Sequence, residues 1–231
     1  MAIVRKHRSR VAEVERVLPD VWVARFTSQD RPFQYQAGQF LHLALQAYDA
    51  TQPWPDSRCF SIMTPPGTNQ RELSIAFAVK GAFTRQMSVE LSPGREVWLK
   101  LPYGELFAAD WSARKCVFLA GGTGITPFLS LFGAPVFTRF AHAHLYLGVR
   151  TASHGVFAAE LAQAQRGNPA FAVEVLCEDT EGIIPIDRVC ERHGTDAVYF
   201  LAGPVAMIRA FRARLLALGV PPEQVRSDDW E

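Results

Sequence analysis

Cys116-Val-Phe-Leu-Ala-Gly-Gly-Thr-Gly-Ile-Thr-Pro127 is the stretch whose reading decides the fold. The apolar run Val117 to Ala120, closed by glycines, predicts a parallel strand covered on both faces. Gly121, Gly122 and Gly124 allow positive φ and a close approach of backbone to a ligand. Pro127 suits a first helical position, where its missing N–H costs nothing, and it predicts a non-helical Thr126 acting as N-cap. A strand that ends this way aims free amides and the positive end of a helix dipole over Gly121-Gly122-Thr123-Gly124, so an anion is the expected guest. Taken alone, the stretch also fits a glycine-rich turn that holds nothing.

The two sides of this turn have different rhythms. From residue 9 to about 107, short β-type runs (11–18, 21–26, 39–45, 58–62, 72–79 and 96–101) alternate with turn residues such as Pro65-Pro66-Gly67 and Ser92-Pro-Gly94. Six such runs predict a small antiparallel barrel, interrupted by one amphipathic helix near 84–91. Beyond Phe107 to Asp110 strands alternate with helices, as in a parallel sheet with right-handed crossovers. The expectation is therefore a β domain over 1–108 and an α/β domain over 109–231.

Composition sets bounds on function. Of 231 residues, 48% are hydrophobic and 20% charged, which excludes global disorder, and 24 basic against 23 acidic residues predict no strong attraction to nucleic acid or membrane. The local run Arg5, Lys6, His7, Arg8 and Arg10 reads as a solvated arm. Cys59, Cys116, Cys177 and Cys190 contain no C-x-x-C, so spacing encodes no metal or iron–sulfur site; the first two read as buried thiols and all four suit a reducing cytoplasm. Residues 116–138 lack formal charge over a membrane-spanning length, but the glycines with Pro127 and Pro135 argue against a span. The basic start is followed by no apolar signal segment, and a cytoplasmic location is expected. No nucleophilic triad stands out, and His142 and His144, on one strand face, read as structural.

Arg58-Cys59-Phe60-Ser61 is the second informative stretch. A guanidinium fork can clamp a pyrophosphate, an aromatic face can stack on a flat ring, and a hydroxyl can bond a ring nitrogen. Together these groups suit a flavin, although a surface arginine beside a core phenylalanine explains them as well.

Order along the chain is what separates the two. The turn at 121–127 fails the G-x-G-x-x-G pattern because Pro127 stands at its third glycine, and it is similar to the G-G-x-G-x-T-P turn of the ferredoxin-NADP reductase superfamily. Arg58 to Ser61 resembles that family's R-x-[Y/F]-S segment, Gly81 to Thr84 its G-x-x-[S/T], Pro102 to Phe107 its P-x-G-x-F, and Gly203-Pro204-Val-Ala-Met207 its G-P-x-x-M. The resemblance implies flavin contacts from Arg58, Cys59, Phe60 and Ser61, with Ser61 near the reactive nitrogen, and from Lys80, Gly81, Ala82, Phe83 and Thr84 around the phosphate. It implies NAD(P)H contacts from Gly121, Gly122, Thr123, Gly124, Thr126 and Pro127, from Arg150 and Ser153 at the adenosine ribose, and from Gly203, Pro204 and Met207 beside the nicotinamide. Trp230 resembles a terminal aromatic that covers the flavin, and with Ser61 it makes up the implied catalytic pair. Ala202 departs from the family, which commonly has cysteine there.

The function so implied is hydride transfer from NAD(P)H to bound flavin, FAD ahead of FMN, and delivery of electrons to ferredoxin, flavodoxin or a small oxidant. A reductase that takes free flavin as substrate, or a non-catalytic electron-transfer subunit, remains open. Glu178-Asp179, where NADPH-preferring members often carry Ser-Arg, favours NADH.

Overall fold

A computed structural model of the chain describes residues 3–151 and 156–228. It divides into two compact units, Met1–Gly104 and Glu105–Glu231.

The first unit is a six-stranded antiparallel sheet: β1 (Arg5–Leu18), β2 (Val21–Ser28), β3 (Phe40–Ala44), β4 (Ser57–Ser61), β5 (Glu72–Ala78) and β6 (Glu96–Tyr103), in the order β4-β3-β6-β1-β2-β5. The sheet curls into a barrel, and the Met63 amide just past β4 bonds the Ser74 carbonyl of β5 at 2.8 Å. Alternation fills its interior: Leu41, Leu43, Val97, Leu99 and Ile75 are fully buried, while strand neighbours such as His42, Ser74, Trp98 and Lys100 are half-buried. α1 (Ala82–Glu90) buries Phe83 and Met87 in the same core and begins two residues earlier than the sequence pattern predicts.

The basic segment at 5–10 is not a solvated arm. It is the first half of the 14-residue β1, paired residue by residue with β6 from Arg5↔Leu101 to Arg10↔Glu96. His7 and Ser9 point inward and are 2% and 0% exposed, so the buried alternate positions are polar and the strand's period is hidden from a hydrophobicity reading.

The second unit is a five-stranded parallel sheet, β7 (Lys115–Gly121), β8 (His142–Val149), β9 (Phe171–Cys177), β10 (Val198–Ala202) and β11 (Val225–Arg226), in the order β11-β10-β7-β8-β9. Both faces of β7 are covered, which accounts for its unbroken apolar run. On one face Phe118 stacks on its cross-strand partner Phe200 at 5.2 Å, with Phe128 edge-on at 5.2 Å. On the other, Val117 and Leu119 join Tyr199 and Leu201 under α5 (Ile186–His193) and α6 (Val205–Ala217). α2 (Thr126–Phe132) follows β7 and all seven of its residues are buried. α3 (Ala158–Gly167) and a single turn, α4 (Glu178–Glu181), complete the unit; α4 and β11 are too short to leave a periodic trace in the sequence.

His144 is buried, stacked on Tyr146 at 4.4 Å with its Nε2 3.1 Å from Glu174 Oε1, whereas His142 is exposed. Cys116 is buried and Cys59 only half-buried, correcting the expectation for the latter; all four cysteines are free. Among the described residues no helix is long and apolar enough to cross a membrane, and no group of three or more His, Cys, Asp or Glu is placed to hold a metal ion.

Candidate functional site

The turn after β7 assigns its glycines different tasks. Gly122 has φ +53°, and a Cβ built on it would meet nothing within 4 Å. A side chain there would occupy open space at the carboxyl end of a central parallel strand, where α/β sheets hold their ligands. Gly124 is the opposite: a Cβ would lie 2.4 Å from the Ala202 carbonyl oxygen and from Gly203 Cα, so its backbone is in direct contact with the β10–α6 turn. Gly121 is closed off by the same turn, through Met207 Sδ and Pro204 Cδ. The segments 121–127 and 203–207, nearly eighty residues apart, thus form one surface, with Pro204 and Met207 as its wall and Gly122 as its open floor.

The entry into α2 differs from the expectation. A 3-10 turn over Gly122–Ile125 runs straight into the helix, Ile125 stands at the N-cap, and Thr126 is helical at φ −55°, ψ −44°. The Thr126 hydroxyl donates to the Thr123 carbonyl at 2.9 Å, and this local bond holds it helical against the steric preference imposed by Pro127. Thr126 is therefore a buried first helical residue that braces the turn, and the N-cap is Ile125.

At the rim, Arg150 is exposed, and its carbonyl accepts the Asp179 amide at 3.3 Å, which ties the loop after β8 to the acidic turn of α4. Ser153 and Trp230 lie outside the described residues.

In the barrel, β4 sends Arg58 and Phe60 to one face and Ser57, Cys59 and Ser61 to the other. Arg58 is exposed, its guanidinium 5.1 Å from the Phe83 ring of α1 and bonded to Asp56 at 2.6 Å. Phe60 is 8% exposed and meets Phe77 edge-on at 6.3 Å, which leaves only a sliver of its ring for stacking. Ser61 is buried to the same degree. Thr84 Oγ1 accepts the Lys80 and Gly81 amides at 2.9 and 3.1 Å, so that hydroxyl and those two donors are occupied by the helix's own cap. The amides of Ala82, Phe83 and Thr84 are the ones left without a carbonyl one turn back. Beside them Gly81 faces open space, so an anion can reach this helix end under the Arg58 fork. Asp56 is not legible in the sequence: an acid two residues before an arginine is a signal only once both are known to share a site.

The geometry agrees with relatedness. Residues 118–213 match the family model of the oxidoreductase NAD-binding domain. The fold superposes on a ferredoxin NADP+ reductase from Neisseria gonorrhoeae solved with FAD and NADP, with TM-score 0.76 and 17% identity over 95% of this chain and 93% of that one. The chain has the fold of the ferredoxin-NADP reductases, and its second unit matches an oxidoreductase NAD-binding domain. Proteins of similar sequence include the phenol 2-monooxygenase reductase component DmpP of Pseudomonas sp. (strain CF600), 39% identical over 98 residues that make up 42% of this chain and 26% of that protein. The propane 2-monooxygenase reductase component of Rhodococcus jostii (strain RHA1) is 25% identical over 96% of this chain and 63% of its own length. The chain thus spans less than two thirds of either relative.

Proposed function

We propose that this chain is a flavin-dependent NAD(P)H oxidoreductase, the reductase part of an electron-transfer system. The observation that carries the reading is the joined turn in the α/β unit: Gly121 and Gly124 are sealed by the β10–α6 turn, and Gly122 alone opens a backbone-lined floor for a pyrophosphate. The names of the relatives, reductase components of monooxygenases, support the same reading.

In this reading the Ala82 and Phe83 amides and the Arg58 fork hold the flavin phosphates, and Asp56 orients that fork before binding. Phe60 and Ser61 set the position of the ring, Phe60 by packing and Ser61 by a hydroxyl near the reactive nitrogen. Gly122 and the start of α2 hold the nucleotide pyrophosphate, and Pro204 and Met207 form the wall against which the nicotinamide is aligned. Bound flavin supplies the hydride acceptance and the one-electron release; the protein supplies alignment and a dry, preorganised site. FAD is favoured over FMN, and electrons pass to a separate protein such as ferredoxin, flavodoxin or an oxygenase component, or to a small oxidant.

NADH is favoured over NADPH. Glu178 and Asp179 are exposed at the rim beside Arg150, where the adenosine ribose is expected. Two carboxylates oppose a dianionic 2′-phosphate, whereas they accept hydrogen bonds from ribose hydroxyls. The absorption spectrum of the purified protein, followed through anaerobic titration with each nucleotide, tests the whole reading. A flavin spectrum bleached by NADH is expected; a colourless protein, or bound flavin that neither nucleotide bleaches, sinks it.

A further inference from the structure

The outer face of the barrel, from β4 across β3 and β6 to β1, carries an arrangement that flavin and nucleotide binding leave unexplained. Lys6 and Lys100 are directly opposed cross-strand partners, and like charges in that position are mutually repulsive. Arg8 follows on the same face, opposite Trp98. Among the described residues none of these three cations forms an ion pair. The two lysines are held by aromatic rings instead: Lys6 lies 4.0 Å from the Tyr48 ring centroid and hydrogen-bonds its hydroxyl, and Lys100 lies 5.8 and 5.7 Å from the rings of Trp54 and Tyr103. Tyr48 in turn packs on Trp54 and Trp98, each at 5.4 Å. His42, paired with Lys100, is held below its ordinary pKa by burial and then by the lysine charge, so the positive potential is felt beneath the surface too.

Half-buried tyrosines and tryptophans around cations that form no ion pair have the composition of a protein-docking patch. The patch is continuous with Ser61, whose cross-strand partner Phe40 stacks on Tyr103 at 5.6 Å. From β4 to β1 is three strand spacings, roughly 14 Å. With a whole-chain charge of +1, the field here is local and suits one complementary surface better than an extended polyanion.

We propose that this face of the barrel docks an acidic electron-carrier protein, with Lys6, Arg8 and Lys100 meeting its carboxylates and Trp54, Tyr48 and Trp98 forming the apolar centre. The assignment rests on the oxidoreductase reading above. Docked there, the carrier sits against the strand that ends in Ser61.

The test measures two reactions of the flavin-loaded protein: NADH-dependent reduction of a neutral quinone, which does not need the patch, and of an acidic plant-type [2Fe–2S] ferredoxin as probe carrier. Expected for K6E/K100E is quinone turnover within twofold of the parent, and a ferredoxin KM raised roughly tenfold, with its salt dependence largely lost. W54A should raise the ferredoxin KM while keeping the salt dependence. Loss of quinone turnover in the unmodified protein would defeat the oxidoreductase reading itself. Normal quinone turnover with a ferredoxin KM unmoved by K6E/K100E, or with no saturable ferredoxin reduction at all, would overturn the docking surface alone. Equally tight, salt-sensitive binding of a single-stranded oligodeoxynucleotide that K6E/K100E abolishes would also overturn it, by reassigning the patch to nucleic acid.

Discussion

A methyl group on Gly124 would stand 2.4 Å from the carbonyl oxygen of Ala202, closer than any real contact of that kind. Two segments far apart in sequence therefore meet backbone to backbone, and the turn after β7 cannot shift without moving the start of α6.

From this contact follow opposite outcomes for neighbouring glycines. Gly124→Ala forces the two turns apart and should destabilise the fold by about 1–3 kcal/mol, as overpacking does. Gly122→Ala meets no neighbour, so its stability cost is limited to the left-handed backbone, about 1–2 kcal/mol, while its methyl group intrudes on the proposed pyrophosphate floor. Thermal melts beside nucleotide titrations separate the two. A Gly122→Ala protein with unaltered NADH affinity would remove the nucleotide from this floor.

Arg58→Ala should release flavin. A charge-assisted clamp on phosphate contributes roughly 1.5–3 kcal/mol, or about 10- to 100-fold in affinity. Fluorescence quenching of added FAD measures it, and full flavin occupancy after gel filtration of the variant would move Arg58 off the site.

Neutralising the rim, Glu178→Gln with Asp179→Asn, should raise kcat/KM for NADPH several-fold and leave NADH turnover nearly unchanged. At an effective dielectric of about 20, unit charges ~4 Å apart interact by about 4 kcal/mol before solvent screening, and exposure reduces this to a fraction. A parent protein that already prefers NADPH contradicts the assignment.

Acid should weaken the fold between pH 6.5 and 4. His7 is 2% exposed, and burial, then Arg31, lowers its pKa to about 4, while Asp30 opposes the shift. Burial and then His144 bring His193 to about 4 as well. Both stay neutral in the native state while the unfolded chain takes up protons below 6.5, so stability is level above that value and declines as pH falls toward 4. For His7 the full span is on the order of 3 kcal/mol. His7→Leu should flatten the decline of the urea midpoint over this window by about the share of one proton; an unaltered slope would show that His7 titrates normally.

The fold class was legible because glycine and proline placement dictates local geometry. Gly121 to Pro127 has few backbone solutions, and alternation before and after residue 107 differs in period. What stayed hidden depends on partners. That Gly124 serves packing and Gly122 faces space is decided by Ala202 and Gly203, which no local pattern brings to mind. Thr126 was expected as a cap because Pro127 disfavours a helical predecessor, and a single hydroxyl bond to Thr123 reverses that preference. The charged start of β1 concealed a strand because its inward positions are His7 and Ser9, which a search for apolar alternation passes over.

α2 is buried along its whole length, and it begins at the turn proposed to hold the nucleotide. Its amides should exchange with solvent only when the α/β unit opens globally, so the floor of the site has the rigidity of the core beneath it. On the proposed reading, variation in nucleotide choice is then confined to the exposed rim, at Arg150 and at Glu178 and Asp179. Preference between the two coenzymes would then drift by surface substitutions that leave folding untouched, whereas the proposed grip on the pyrophosphate they share would be fixed by the same atoms that hold the domain together.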